Sequence, residues 1–335
     1  MRRSVLLSIV AGLSLLFWQP IAIAQTLDDL HKESLKEGGT ITFYSSLAEA
    51  NAMKILAIFE KRFPGIKVKH IDATVDQLAA RVITEARAGK MLADVYQAQL
   101  ANLAQINAQQ LFLDKIPPEG AAYPEELKGS YWIASDLIFI VGAWNTQLIS
   151  KGEEPRDFED FADQKWKNRL MVEPKDEEFL AALAKYKYKN DDKAIAFLKK
   201  VAANNVELHK GHSQLAELLA AGQGAACLTC YAHPFPPRIQ KGAPVNYLLT
   251  EGVGDVNGTA IIKNAPHPNG AWLFARWVVS EEGQNAYAMG GRSPAHPKVQ
   301  PLEKTRPAKI YPISAAVIDE LPKYEKIWKE IFRLR

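Results

Sequence analysis

The stretch TITFYSSLAEANAMKILAIFEKRFPGIKVKHIDATVDQLAARVITEARAGKMLADVYQA, Thr40–Ala98, sets the fold class because strand-like and helix-like patterns alternate along it. Thr40–Ser46 is rich in β-branched and aromatic residues, and the apolar residues that follow it recur with helical spacing. The alternation of strand and helix patterns then continues, with a strand pattern at Ile66–Asp72, a helix pattern at Asp76–Ala88 and a strand pattern at Ala93–Ala98. This β-α-β-α-β order predicts an α/β fold with a mainly parallel sheet and right-handed crossovers.

A second α/β region follows Leu137–Trp144, a continuous apolar run whose β-branched residues predict a buried strand. Within residues 157–249 the pattern predicts further strands at Leu170–Val172 and Gly224–Tyr231, and Gly258–Lys263 predicts another one. The helices predicted in this half of the chain are residues 177–186, 191–204, 213–221 and 267–280.

The first 24 residues have the features of a secretory signal peptide. Arg2 and Arg3 provide a positive start, an apolar run extends over Val5–Trp18, and Ala22-Ile23-Ala24 has the A-x-A form of a peptidase site. The alternative is a membrane anchor, but the apolar run is shorter than the ~20 residues that span a bilayer. We therefore expect cleavage after Ala24 and a soluble protein exported to the periplasm.

Composition excludes several classes of protein. The chain is 47% hydrophobic and 24% charged, which is typical of a globular rather than a disordered protein. Its net charge is only +3 and no lysine- and arginine-rich block occurs, so we expect no nucleic-acid partner. Two cysteines do not make a disulfide scaffold in a chain of this length. The roughly 310 residues left after cleavage are too many for one simple core and predict two lobes.

Four stretches, spread over nearly the whole chain after residue 24, together resemble one known family. The most specific is Ile261–Val299, which holds a Lys-Asn-Ala-Pro-His-Pro run, a Phe-containing helix, a Ser-x-x-Gly-Gln motif and a later proline. In this order the motifs resemble the iron(III)-type branch of family 1 of the periplasmic solute-binding proteins, which serve ABC importers. The other three stretches are Phe43–Val68, Glu85–Ala98 and Phe158–Pro174.

The resemblance implies the type 2 periplasmic binding fold, in which two α/β lobes joined by crossing strands hold a ligand in the cleft between them. It implies interleaved lobes, with residues 26–138 and 256–292 in lobe 1 and residues 139–255 and 293–335 in lobe 2. It also implies that the closed, ligand-bound form docks on an ABC permease in the inner membrane. We expect a monomer that needs no cofactor.

Ligands of open α/β sheets bind beyond the carboxyl ends of the strands, where loops enter helices, and this rule selects candidate residues. Ser45 and Ser46 end the first strand, Gln97 lies at the end of the third, and His212 and Ser213 open a predicted helix. Hydroxyl groups and free N–H groups at a helix N-terminus bind anions. The alternatives are helix capping for the serines, a polar surface loop for Gln97 and a solvated loop for His212.

CLTCYAHP, Cys227–Pro234, stands where ferric members of this family carry two adjacent tyrosines that bind iron. Here only Tyr231 occupies that place, and His233 follows two residues later. Ferric iron prefers several anionic oxygen ligands, so this departure argues against it. We expect Tyr231 and His233 to reach the ligand; for ferric iron the candidate ligands are Tyr231, Glu49 and Glu173.

The two cysteines, Cys227 and Cys230, have C-x-x-C spacing within a predicted strand. Positions three apart in a strand face opposite sides, so we predict neither a shared metal nor an easy disulfide unless the strand breaks between them. We expect one cysteine in the core and one near the cleft. A c-type haem site needs histidine directly after Cys230, where Tyr231 stands.

The expected function is the periplasmic solute-binding component of an ABC uptake transporter, which closes about a hinge around its ligand. The missing tyrosine pair favours a small anionic or polar solute, with a carboxylate or a phosph(on)ate as the leading class. The first alternative is a ferric-ion-binding transport protein. The second is an exported metal or redox enzyme that uses Cys227, Cys230 and His233, although no motif supplies a nucleophile with a placed base.

Overall fold

The structure, a computed structural model, describes residues 25–302 and 304–334. The predicted signal peptide, residues 1–24, lies outside the described residues. The helices in this part are α1 (Leu27–Lys36), α2 (Glu49–Arg62), α3 (Val75–Arg87), α4 (Leu100–Asn107), α5 (Glu177–Ala182), α6 (Asp191–Ala202), α7 (His212–Ala220), α8 (Phe235–Gln240), α9 (Pro268–Val278), α10 (Glu281–Met289), α11 (Ala315–Ile318) and α12 (Leu321–Phe332). The strands are β1 (Thr40–Ser45), β2 (Lys67–Asp72), β3 (Val95–Gln99), β4 (Trp132–Asn145), β5 (Leu170–Val172), β6 (Glu207–Leu208), β7 (Ala226–Tyr231), β8 (Val245–Tyr247), β9 (Glu251–Ile261), β10 (Ser293–Pro294) and β11 (Lys309–Pro312).

The strands of the described residues pair into one mixed sheet. Its main order is β2-β1-β3-β9-β4-β7-β5-β6, while β8 and β10 also pair with β4 and β11 pairs with β9. β1 runs parallel to β2 and β3, and β5 runs parallel to β6 and β7. The β-α-β-α-β order predicted from the first region is the observed order of β1, α2, β2, α3 and β3.

Two long antiparallel strands, β4 and β9, connect the two parallel parts of the sheet. Their register runs from Trp132 opposite Ala260 to Ile140 opposite Val253. β9 pairs on its other edge with β3, and β4 pairs on its other edge with β7. Each part of the sheet is therefore joined to the other through this one strand pair.

Buried apolar side chains form two clusters that these strands join. The first core draws its residues from positions 30–134 and 256–295, and the second core draws its residues from positions 139–253 and 311–332. Each core thus combines segments that are distant along the chain, and both β4 and β9 contribute to each. The exact bounds of the two predicted lobes stay a prediction.

A cluster of aromatic rings ties helix α9 to the start of the chain in the first core. Phe43 on β1, Phe59 on α2, and Phe274 and Trp277 on α9 are all buried. Their ring centroids lie 4.9 Å apart for Phe43 and Phe274, and 5.1 Å apart for Phe59 and Trp277. Edge-to-face contacts of this kind add to the free energy gained by burial.

The structure joins Cys227 and Cys230 in a disulfide with Cα atoms 6.0 Å apart, which a regular strand was predicted not to allow. Cys230 lies opposite Val141 of β4 and Cys227 lies opposite Ala143, so three residue steps on β7 match two on β4. The extra residue is a β-bulge, which brings both sulfur atoms to the same side. Both cysteines are fully buried and belong to the second core.

Replacing Phe59 with alanine should lower the free energy of unfolding by about 3–5 kcal/mol, because it removes a fully buried ring from the aromatic cluster. Met53 lies on the same helix but is 63% exposed, so Met53→Ala should change that free energy by less than about 0.5 kcal/mol. Urea unfolding followed by tryptophan fluorescence measures both. Equal losses in the two variants would contradict the packing described for α2.

Candidate ligand-binding cleft

A cleft of about 360 Å³ lies between the two cores. The first core supplies residues at the start of α3 and at the junction of β3 with α4, and the second core supplies the loop after β5, the start of α7 and the end of β7. The position agrees with the rule that ligands lie beyond the carboxyl ends of parallel strands. Its polar lining residues are Asp76, Gln99, Asn102, Gln105, Glu173, Lys175, Asp176, Glu177, Glu178, His212, Tyr231 and Asp255.

A capping box holds the start of α3 at the first-core wall of the cleft. The Thr74 hydroxyl accepts a hydrogen bond from the Gln77 N–H at 3.4 Å, and the Gln77 side chain accepts one from the Thr74 N–H at 3.2 Å. This reciprocal pair satisfies two N–H groups that the helix leaves without partners. Asp76 then lies in the first turn, where its carboxylate complements the positive end of the helix dipole.

His212 and Tyr231 stack on each other in the second-core wall, with ring centroids 3.5 Å apart and planes inclined by 16°. The imidazole Nδ1 lies 3.1 Å from the Thr229 carbonyl oxygen, and Nε2 lies 3.3 Å from Asp176 Oδ1. A carbonyl oxygen only accepts, so Nδ1 carries a proton, and Nε2 faces a carboxylate that also accepts. This pair of acceptors favours the doubly protonated imidazolium.

The pKa of His212 lies above its ordinary value for the same reason. Burial alone lowers this pKa, but the charge of Asp176 and the hydrogen bond to it raise it, and Glu173 adds to the effect. Part of the negative charge of the cleft is therefore matched by His212 itself.

Several carboxyl groups of the second-core wall have raised pKa values. Burial raises the pKa of Glu173, Glu178 and Asp255, that of Asp255 to about 7, and the Asp176 carboxylate raises all three further. Asp176 itself is only 1% exposed, and its Oδ2 atom has no hydrogen-bond partner among the described residues. Buried carboxylate oxygens without a donor are uncommon and mark a candidate functional position.

Tyr231 and His233 are both held in their neutral forms. Burial, followed by the charges of Asp176 and Asp255, raises the pKa of Tyr231 well above its ordinary range. Burial, followed by the charge of Arg292, lowers the pKa of His233 well below its ordinary range. The two rings lie 5.6 Å apart. The cleft therefore presents a phenol and a charged imidazole, and the neutral imidazole of His233 lies behind the Tyr231 ring, outside the lining residues.

Comparison with known proteins identifies the family. The family model described as bacterial extracellular solute-binding protein matches residues 54–312. The chain belongs to this family. The major ferric iron-binding protein of Neisseria meningitidis is 27% identical to it over 277 residues, which are 77% of this chain and 82% of that protein. Among residues 25–302 and 304–334, no helix is long and apolar enough to cross a membrane.

Solved structures of similar fold include solute-binding proteins with different ligands. Iron-bound HitA from Pseudomonas aeruginosa has a TM-score of 0.72 and 21% identity, covering 87% of this chain and 99% of that one. AfuA from Actinobacillus pleuropneumoniae, with fructose-6-phosphate bound, has a TM-score of 0.69 and 19% identity, covering 89% and 99%. The predicted family and the two-lobed α/β fold class are confirmed. The chain is thus a bacterial extracellular solute-binding protein.

The structure brings some of the predicted ligand-binding residues of this solute-binding protein to the cleft. His212 and Tyr231 line it, and His233 lies beside Tyr231. Ser213 is exposed in the first turn of α7, and Ser46 is half-buried after β1. Their contact with a ligand stays a prediction.

Two predicted residues already have other partners. Ser45 is buried, its hydroxyl lies 2.8 Å from His70 Nε2, and it also accepts a hydrogen bond from the Leu47 N–H. Gln97 is buried and donates to Asp136 at 3.0 Å while accepting from Tyr287 at 2.5 Å.

The candidate ferric ligands are divided between two places. Glu173 and Tyr231 share the cleft, whereas Glu49 is exposed at the start of α2 and lies 2.9 Å from His70 Nδ1. Within the described part of the chain, no group of three histidine, cysteine, aspartate or glutamate side chains is arranged to hold a metal ion. A ferric site from these three residues would require Glu49 to leave His70.

Sequence reasoning missed Asp255 and misjudged Glu177 and Glu178. The paired glutamates look like a solvated helix start, but both line the cleft and are half-buried. Asp255 lies on the buried strand β9, between Gly254 and Val256. A single acid within a run of small and apolar residues is the signal that could have found it.

Asp255→Asn should stabilise the folded protein at high pH. The folded-state pKa of Asp255 is raised from 3.8 to about 7, so its favourable contribution is full below pH 3.8 and is lost as the pH rises to about 7. The gain in the free energy of unfolding from Asp255→Asn should therefore grow between pH 4 and pH 8, to at most about 4 kcal/mol. Thermal and urea unfolding at the two pH values measure it.

The matched control is Asp319→Asn, which changes an exposed carboxylate outside the cleft. It should change the free energy of unfolding by less than about 0.5 kcal/mol at either pH. A gain from Asp255→Asn that is the same at pH 4 and pH 8 would show that the Asp255 carboxyl is not held in its neutral form.

Proposed function

We propose that this chain is the periplasmic ligand-binding subunit of an ABC uptake transporter, that it works as a monomer, and that it catalyses no reaction. Ligand binds in the cleft between the cores, the lobes close about the β4–β9 strand pair, and the closed form delivers the ligand to an inner-membrane permease. The family supports the role, and the cleft lined by both cores carries the proposal. A signal peptide cleaved after Ala24 is the proposed route of export.

Of the ligand classes expected from the sequence, the cleft favours a polar solute over an anion. Six carboxyl groups line it, against one lysine and one histidine, and His212 is already paired with Asp176. A carboxylate or phosph(on)ate entering this space would meet charges of its own sign, which weakens binding in a partly desolvated site. The expectation of a carboxylate or phosph(on)ate is therefore the weaker part of the sequence-based hypothesis.

Ferric iron is the second candidate, because curated relatives such as the Neisseria meningitidis protein are named for it and Glu173 and Tyr231 share the cleft. The raised pKa of Tyr231 opposes it, since a phenolate would have to form amid buried carboxyl groups. The enzyme hypothesis loses its thiols, because Cys227 and Cys230 are joined in a buried disulfide.

Hinge closure gives a direct test. A small-molecule extract of yeast, added to the purified protein, should raise its melting temperature and lower its radius of gyration in small-angle X-ray scattering. Tyr231→Ala should need about tenfold more extract for the same response, because it removes an aromatic side chain from the cleft wall. Ser46→Ala tests the first-core side in the same way.

The control is Met53→Ala, which changes an exposed residue on α2 and should respond like the unaltered protein. If the extract changes neither the melting temperature nor the radius of gyration, the proposed function is wrong. Unchanged responses in both Tyr231→Ala and Ser46→Ala would instead refute the assignment of these residues to the ligand site.

A further inference from the structure

We infer that the cleft takes a solute with a positively charged organic group, such as an amine, seated against Asp176; this inference rests on the proposed function. Three features of the cleft support it. The first is the excess of carboxyl groups, and the second is the oxygen of Asp176 that has no hydrogen-bond partner. The third is that acidic side chains already complement the positive ends of the helices that begin at the cleft.

The charges of the cleft leave little for an anion to bind. Of its two basic residues, Lys175 is exposed and its Nζ lies 3.9 Å from Asp76 Oδ2 across the mouth. His212 faces Asp176 Oδ1. No arginine is among the lining residues that the structure describes. The carboxyl groups of Glu178 and Asp255 face the same space without a cation of their own, and burial favours their neutral forms. A positive group in the cleft would favour their charged forms and complement them.

Asp176 provides the most specific anchor. Its side chain is almost fully buried in the wall, Oδ1 faces the His212 imidazolium, and Oδ2 lies without any hydrogen-bond donor among the described residues. A buried carboxyl oxygen in such a place requires a hydrogen-bond donor. An N–H group of a bound cation, placed beside Oδ2, supplies both a donor and a matching charge.

The N-termini of helices at the cleft would ordinarily attract an anion. Here acidic side chains of the protein itself already complement the positive ends of these helices. Asp76 lies in the first turn of α3, and Glu177 and Glu178 lie in the first turn of α5. At α7, Glu173 Oε1 accepts a hydrogen bond from the Gly211 N–H at 3.3 Å. The positive ends of these three helices are thus compensated before any ligand enters.

An organic cation fits this lining better than a bare metal ion does. The described residues contain no group of three acidic, histidine or cysteine side chains arranged around one point. An organic cation needs only one well-placed carboxylate, and its carbon skeleton can lie against Val75, Ile313 and Leu321, which also line the cleft. The volume of about 360 Å³ is at the lower end of ordinary small-molecule sites.

The experiment separates the yeast extract by ion exchange into cationic, neutral and anionic fractions. Each fraction is added to the purified protein, and the melting temperature and radius of gyration are measured. We expect the cationic fraction to raise the melting temperature and to lower the radius of gyration. Asp176→Asn, which keeps the side-chain shape, should need at least tenfold more of this fraction, whereas Glu330→Gln, an exposed change on α12, should respond like the unaltered protein.

Other results of this experiment would contradict either the cationic ligand class or the proposed transport function. A response to the anionic or neutral fraction alone overturns the cationic class and leaves the transport role standing, whereas no response to any fraction overturns the role itself. If Asp176→Asn does not fold, Asp176→Ser replaces it, and an undiminished response in the variant that folds overturns the anchor. Ferric citrate is added separately, and a visible absorption band that Tyr231→Phe abolishes would assign the cleft to iron instead.

Discussion

The buried Asp136 carboxylate is the constraint on which the junction of the two cores depends. It lies on β4 just after Ser135, an extra residue that shifts the register against β9, and it is fully buried. Two nitrogen atoms of the Arg292 guanidinium contact its Oδ2 at 2.6 and 2.8 Å, and Gln97 and Asn257 donate to it as well. Removing one partner of a buried charge pair typically costs about 3–5 kcal/mol, so this network fixes how β3, β4, β9 and the segment before β10 meet.

The same strand pair carries a second buried carboxyl group, which differs from Asp136 in its partners. Asp255 lies two residues before Asn257 on β9, accepts a hydrogen bond from the Val256 N–H, and has no arginine or lysine as partner among the described contacts. Burial and the nearby Asp136 therefore raise its pKa, whereas Asp136 itself is held by Arg292. One carboxyl group thus serves the architecture, and the other is left facing the cleft, as is common where a site needs a poised charge.

The sequence predicts most of the local helices and strands, but it does not predict features that depend on residues far apart along the chain. Alternating patterns were enough for β1, α2, β2 and α3, but the start of β9, EGVGDVNG, looks like a loop because glycine and acidic residues interrupt it. The interleaving of the lobes came only from the family resemblance. The disulfide was missed because the β-bulge that makes it possible arises from pairing with β4. Gln97 looked like a ligand residue because its partner, Asp136, lies 39 positions away.

The charge of the cleft was the feature hardest to predict from the sequence. It determines how ligand binding can favour closure of the two lobes. Asp76 belongs to the first-core wall and Asp176 to the second, so closing an empty cleft brings like charges together. Lys175 offsets this only at the mouth, where solvent screens a 3.9 Å contact. A positive group between the walls removes the repulsion and adds contacts to both, so it stabilises the closed state more than the open one. That difference in affinity is the quantity by which a ligand can drive closure.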